Sequence, residues 1–179
     1  MVNKDIITRR LSNLEEYYHD LSDIQEEVTS EQLFNDKIMR RYIERTLQMA
    51  IESCLDIAGH IISYSGFREP INNQDTFQVL IEEEIIDNKL GERLKKMAQF
   101  RNIIVHDYAT IDPEIVYTIV KNNITDIRSF SINIKSAHIT ATLLPLIFSK
   151  IRLSFSHLSA SIKFLNLIKY FLAFLYFST

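Results

Sequence analysis

Three side chains suited to proton transfer or anion binding fall within eight residues of one another: Arg101, His106 and Tyr108, in the stretch that runs from Met97 to Tyr108. An arginine stays protonated, and its planar fork matches the oxygens of a phosphate. An imidazole has an ordinary pKa of about 6.5, so it serves as base or acid near neutrality. A phenol offers an aromatic face together with a hydroxyl. The set suits acid–base chemistry beside a bound phosphate.

The elements around these residues decide whether they can work together. Leu90, Leu94, Met97 and Ile104 recur at steps of four and three, which marks one face of a helix, and the rhythm continues through Arg101 and Tyr108. An arginine and a tyrosine thus occupy positions where core residues are expected. Burying them is costly unless their polar ends reach a partner, a cleft or water. His106 lies five residues beyond Arg101, roughly 140° around a helix of 3.6 residues per turn. One helix does not easily aim both at one atom; a second copy across a two-fold axis can, so the motif itself points to a dimer.

The chain of 179 residues is 46% apolar, enough for the core of one domain, and holds only three Gly and three Pro. So few breakers predict long uninterrupted elements and an all-α fold. The single cysteine, Cys54, lies in an apolar run. It reads as a buried, inert thiol, and no disulfide or cysteine-based zinc site can form within one chain. His19, His60, His138 and His157 lack ligand-like spacing, so no metal is assigned, and no cofactor is implied. The start, Met-Val-Asn-Lys-Asp, has no apolar signal region, which predicts a cytoplasmic protein.

Along the chain, a first helix is expected from Asp5 to about Glu27, with Ile6, Ile7, Leu11, Leu14, Tyr17 or Tyr18, Leu21 and Ile24 inward. Thr29-Ser30-Glu31-Gln32 gives a break and an N-cap. A long pattern then runs to Tyr64 through Leu33, Ile38, Tyr42, Leu47, Ala50, Ile51, Leu55, Ala58 and Ile62, with a bend expected between Phe34 and Lys37. Ser65-Gly66 ends it. Caps at Asn73-Gln74-Asp75-Thr76 start a short helix through Ile86, and Asp87-Asn88 breaks the chain again. The motif helix is expected from Lys89 to His106. Asp112-Pro113-Glu114 starts the next one, running to about Phe130 with Ile115, Val116, Ile119, Ile124 and Ile127 inward.

The composition changes after that. The first 130 residues carry a net charge of −8 and the last 49 carry +5, with Lys135, Lys150, Arg152, Lys163 and Lys169 and no acidic residue. Residues 1–135 therefore read as the helical domain, and residues 136–179 as an apolar, acid-free C-terminal extension. Lys169 and Pro145 interrupt its apolar stretches short of the about twenty residues that a membrane span needs, so membrane insertion is not expected. A surface or partner-binding helix fits this composition less well than a non-native tail such as an out-of-frame extension.

Arg101-Asn102-Ile103-Ile104-Val105-His106, followed by Tyr108, resembles the signature of the HEPN family, in particular its HepT-like ribonuclease toxins: arginine, a polar residue, then histidine, with tyrosine two residues on. The segment Arg41 to Ala50 is similar to the family helix that precedes Cys54 to Ile62. The resemblance covers about residues 1–130. It implies a HEPN-like antiparallel helical bundle and a homodimer in which two Arg/His pairs meet at a cleft. It also implies metal-independent RNA cleavage, and a minimal nucleotidyltransferase antitoxin as partner that in some systems attaches AMP to the motif tyrosine. The residue types agree with that chemistry, because RNA supplies its own nucleophile in the 2′-hydroxyl. Arg101 would hold the phosphate, His106 would move the proton, and Asn102 would orient either. Tyr108 would contact substrate or carry the modification, whose charge and bulk would block the cleft.

Plainer roles are open to the same residues. His106 can cap a helix end, Arg101 can pair with a core-edge carboxylate such as Glu44, and Tyr108 can be an interface aromatic. Arg40, Arg41, Arg45, Arg93, Lys95 and Lys96 fit a solvated face better than an RNA-binding rim, and Glu82-Glu83-Glu84 fits a solvated face or a surface for a basic partner. A non-catalytic helical module that binds a nucleotide or serves as partner subunit of a nucleotidyltransferase is the competing function.

Overall fold

The computed structural model describes residues 4–106 and 111–136, all within a unit that ends at Ala137. Every regular element among them is a helix, as the composition predicted: α1 Lys4–Glu27, α2 Ser30–Asn35, α3 Lys37–Ser65, α4 Asn73–Glu82, α5 Asn88–His106 and α6 Pro113–Asn122, followed by α7 over residues 125–136. The extension from residue 137 onward and the connector 107–110, which includes Tyr108, lie outside the described residues.

The helix boundaries follow from local chemistry. Thr29 and Gln32 form a capping box: Thr29 Oγ1 accepts from the Gln32 N–H, and Gln32 Oε1 accepts from the Thr29 N–H at 2.9 Å. The bend expected between Phe34 and Lys37 is a full break at Asp36, which ends α2 and caps α3 by accepting from Ile38 and Met39 N–H, both at 2.9 Å. Gly66 stops α3 in the left-handed region, φ 68°, where a side chain is disfavoured. Asp112 caps α6 with Pro113 at its first position, as the sequence predicts.

Two helix boundaries need correction. The short helix ends at Glu82 rather than Ile86; the turn that follows puts Glu84 at φ 55° and folds Ile85 and Ile86 N–H back onto Leu80 O. The helix expected over 113–130 is interrupted at Asn123, because two successive asparagines, 122 and 123, compete for backbone bonds and favour helix ends over interiors. Past the break Ile124, Ile127 and Phe130 are all fully buried, whereas Ile115, expected inward, is 50% exposed.

The long helix α3, about 43 Å at 1.5 Å per residue, is the spine of the fold. Its buried face is Ile43, Leu47, Ala50, Ile51, Cys54, Ile57, Ala58 and Ile62. Periodicity placed Ile38 and Tyr42 on that face too, but they are 83% and 47% exposed, Tyr42 standing beside Asp20 of α1. Cys54 is buried, as expected, and burial pushes its thiol well above the usual range. α1 packs on α3, α3 packs on both α4 and α5, and α2 packs on α6.

α4 and α5 run antiparallel, since Lys95 meets Gln78, Gln99 meets Gln74 and Asn102 meets Asn73. Their approach is close at Gly91, a buried helical glycine where a methyl group would collide with Cγ1 and Cδ1 of Ile81. Gly91→Ala is therefore expected to lower stability by about 1–2 kcal/mol, overpacking outweighing the helix propensity of alanine. Urea unfolding checks this; a stabilised variant would show that the helices separate freely there.

Candidate active site

The motif helix α5 is anchored by Leu90, Leu94, Met97, Ala98, Phe100 and Ile104, all buried. Arg101 stands on this stripe with its side chain 24% exposed, and its polar end has found a partner. The guanidinium donates to Glu52 Oε1 of α3 from Nε at 3.1 Å and from Nη2 at 2.8 Å. The same oxygen accepts from Gln48 Nε2 at 2.9 Å, and Gln48 Oε1 accepts from Arg45 Nη1 at 3.1 Å. A row of polar side chains one turn apart on α3 thus leads to the motif arginine. Partial burial alone would raise the Glu52 pKa, but the bonds from Gln48 and Arg101 and the charges of Arg101 and Arg45 outweigh it and hold the carboxyl below its usual value.

Glu44 is not the partner of Arg101. It lies two turns earlier on α3, is 4% exposed, and pairs with Arg40 and Arg41. Its carboxyl is pushed up by desolvation, which the two arginines only partly offset. Sequence periodicity could not choose between these carboxylates, because pairing depends on the register of two packed helices.

Asn102 accepts from Asn73 Nδ2 at 3.3 Å, which brings the N-terminus of α4 against the motif. Next to it, Gln99 donates to Gln74 at 3.1 Å. His106 is the last residue of α5, but its side chain, like the whole of Tyr108, lies outside the described residues. Arg101 and Asn102 are consecutive on one helix and meet different neighbours, α3 and α4 respectively. Glu52, Gln48 and Asn73 are contacts that the sequence reading did not single out.

The other basic residues weighed as an RNA rim are mostly engaged with acidic or polar groups. Arg93 pairs with the buried Asp126 at 2.7 Å, and Lys95 pairs with Glu92 at 2.7 Å. Glu82 is bound by Arg68, whose fork also clasps Asp75 and, with the Ile71 N–H, holds the Asp75 carboxyl down at about 2. A cavity of about 310 Å³ lies between α1 and α3, lined by Ile7, Arg10, Asp56, Ile57 and His60 among others, and includes no motif residue. Among the described residues no group of His, Cys, Asp and Glu could hold a metal ion, and no helix is long and apolar enough to cross a membrane.

A sequence model of the family described as Ribonuclease HepT-like matches residues 14–134, which take in α2 to α6 and most of α1 and α7. The chain belongs to the HepT-like ribonuclease family. Among curated HepT-like relatives, the mRNA nuclease HepT of Shewanella oneidensis is 31% identical over 124 residues, 69% of this chain and 86% of that protein. The tRNA nuclease HepT of Aphanizomenon flos-aquae is 31% identical over 74 residues, 41% of this chain and 50% of that one. Similar folds recur in solved toxin–antitoxin structures. A toxin–antitoxin crystal structure with AMP-PNP aligns with a TM-score of 0.69 at 28% identity, over 74% of this chain and 99% of the other. A tri-AMPylated Shewanella oneidensis HEPN toxin in complex with an MNT antitoxin gives the same TM-score and identity, over 74% and 98%. The expected all-α, HEPN-like bundle and ribonuclease family therefore hold for this chain.

Proposed function

We propose that this HepT-like ribonuclease is the toxin of a toxin–antitoxin pair and cleaves RNA without a metal, through Arg101 and His106 at a homodimer cleft. A nucleotidyltransferase antitoxin neutralises it. The observation that carries the reading is the charged, partly exposed Arg101 on an otherwise buried stripe of α5, held in place by Glu52 and followed by His106 at the helix end. Arg101 binds the scissile phosphate and stabilises the charge that builds on it. His106 removes the proton of the 2′-hydroxyl or supplies one to the departing 5′-oxygen, its partner in the opposite role coming from the second protomer. Asn102, fixed by Asn73, orients the phosphate or the imidazole.

Tyr108 follows His106 by two residues in the sequence, and a nucleotide attached to it would add negative charge that repels RNA. Residues 1–135 carry this activity, and the protein works in the cytoplasm. Support for a protein partner comes from the similar solved structures of toxin–antitoxin complexes. Apolar side chains left open at Phe34, Ile38, Met39 and Tyr42 also favour one.

Incubating the purified chain with RNA tests the reading. Wild type is expected to cut, and His106→Ala to lose at least about a hundredfold in rate, the contribution of a positioned acid or base. Unchanged cleavage by His106→Ala would remove the histidine from the mechanism. Failure of the wild type to cut would favour the binding module.

A further inference from the structure

Arg101 is useful to a phosphate only if its guanidinium is held still. An arginine side chain has many rotamers to lose, and the apolar neighbours Met97, Phe100 and Ile104 offer the charged head no bond. Glu52 supplies it. Nε and Nη2 both donate to Glu52 Oε1, so the carboxylate takes the guanidinium side-on. That contact uses two of the five N–H groups; among the described residues no acceptor meets the end-on fork, formed by Nη1 and the second Nη2 hydrogen, which has the shape to meet two oxygens of one phosphate. Gln48 steadies the carboxylate from behind, and Arg45 steadies Gln48. All three stand on α3, whose adjoining residues Leu47, Ala50 and Ile51 are fully buried, so the arginine of one helix is referenced to a firmly packed neighbour.

We propose that Glu52 is the positioning residue for Arg101, presenting its end-on fork to the RNA phosphate, with Gln48 as its support. The proposal rests on the catalytic reading of Arg101 given above. Glu52 does not touch substrate; its carboxylate fixes the angle at which the arginine meets it. Gln keeps an oxygen at the same reach and can still accept from Arg101, whereas Ala removes that acceptor.

Steady-state cleavage of one RNA by the full chain distinguishes the variants. Glu52→Ala is expected to lower kcat by about tenfold or more, since loss of alignment near 1 Å costs up to about a hundredfold, with KM changed by less than about threefold. Glu52→Gln is expected to recover most of that loss. A role in stability alone would lower Tm and the active fraction without this difference between Gln and Ala at a temperature where both are folded. The proposal is overturned if Glu52→Ala cleaves at the wild-type rate, if its loss lies in KM alone, or if Gln does no better than Ala. Arg101→Ala, measured alongside, separates the two levels. An inactive Arg101→Ala with a fully active Glu52→Ala removes only the positioning role, whereas a fully active Arg101→Ala removes the catalytic reading and the positioning role with it.

Discussion

Arg101→Ala is expected to slow RNA cleavage by about a hundred- to a thousandfold, the loss that follows removal of one oriented donor to a developing oxyanion. The fold should survive the change. Arg101 is a guest on a stripe whose stability resides in Leu90, Leu94, Met97 and Ile104, and the partner it leaves behind, Glu52, has its side chain 34% exposed and keeps its bond from Gln48. Water can therefore replace the arginine, and the cost in stability should stay within about 1 kcal/mol, the range of exposed ion pairs.

That small cost has a predictable pH dependence. In the folded chain Glu52 sits below its ordinary carboxyl value, in part because of Arg101. A depressed carboxyl contributes stability that is present above its unfolded pKa and lost as pH falls through the folded one. The variant gives up part of that contribution, so the stability gap between wild type and Arg101→Ala should be largest near neutrality and close in acid. Denaturant unfolding at neutral pH and at a pH below the carboxyl range checks it; a gap that widens in acid would show that the pair does not hold Glu52 ionised.

The largest effect on stability is expected at Phe77. Its ring and that of Phe130 are both fully buried and meet edge to face, with centroids 6.1 Å apart at 84°. This contact joins α4 to α7. Phe77→Ala removes the ring and leaves a cavity that the surrounding helices cannot fill, which should cost about 3–5 kcal/mol and lower Tm by roughly 10 °C or more. Phe77→Leu keeps most of the volume and should cost about half as much or less. The consequence reaches the motif, because α4 carries Asn73 and Gln74 to Asn102 and Gln99. Thermal unfolding followed by circular dichroism gives the magnitude. A Phe77→Ala chain as stable as wild type would mean that the two rings do not form the core contact described.

The helices were legible because their signals are local. Asp112-Pro113, Thr29 to Gln32 and Ser65-Gly66 each mark a terminus through bonds made within a few residues, and each acts as the pattern predicted. The apolar stripe of α5 was equally plain, and it exposed Arg101 as an exception worth explaining. Exposure of Ile38 was not legible, since periodicity reports which side chains share a face and not how far a neighbouring helix extends along it. The Asn123 break was visible only as two asparagines in a helical pattern, and the inward isoleucines around them argued the other way. Glu52 escaped for a related reason: choosing it over Glu44 needs the axial offset between α3 and α5, which is set by packing along the whole length of both helices. The Asn73 to Asn102 bond likewise depends on how closely Gly91 lets α4 approach.

One measurement addresses the central claim most directly. The full chain is incubated with end-labelled RNA in excess EDTA, and the chemistry of the product ends is mapped. Attack by the 2′-hydroxyl, with Arg101 on the phosphate and His106 moving the proton, predicts undiminished cleavage leaving 2′,3′-cyclic phosphate and 5′-hydroxyl ends. Cleavage abolished by EDTA, or products ending in 3′-hydroxyl and 5′-phosphate, would contradict it.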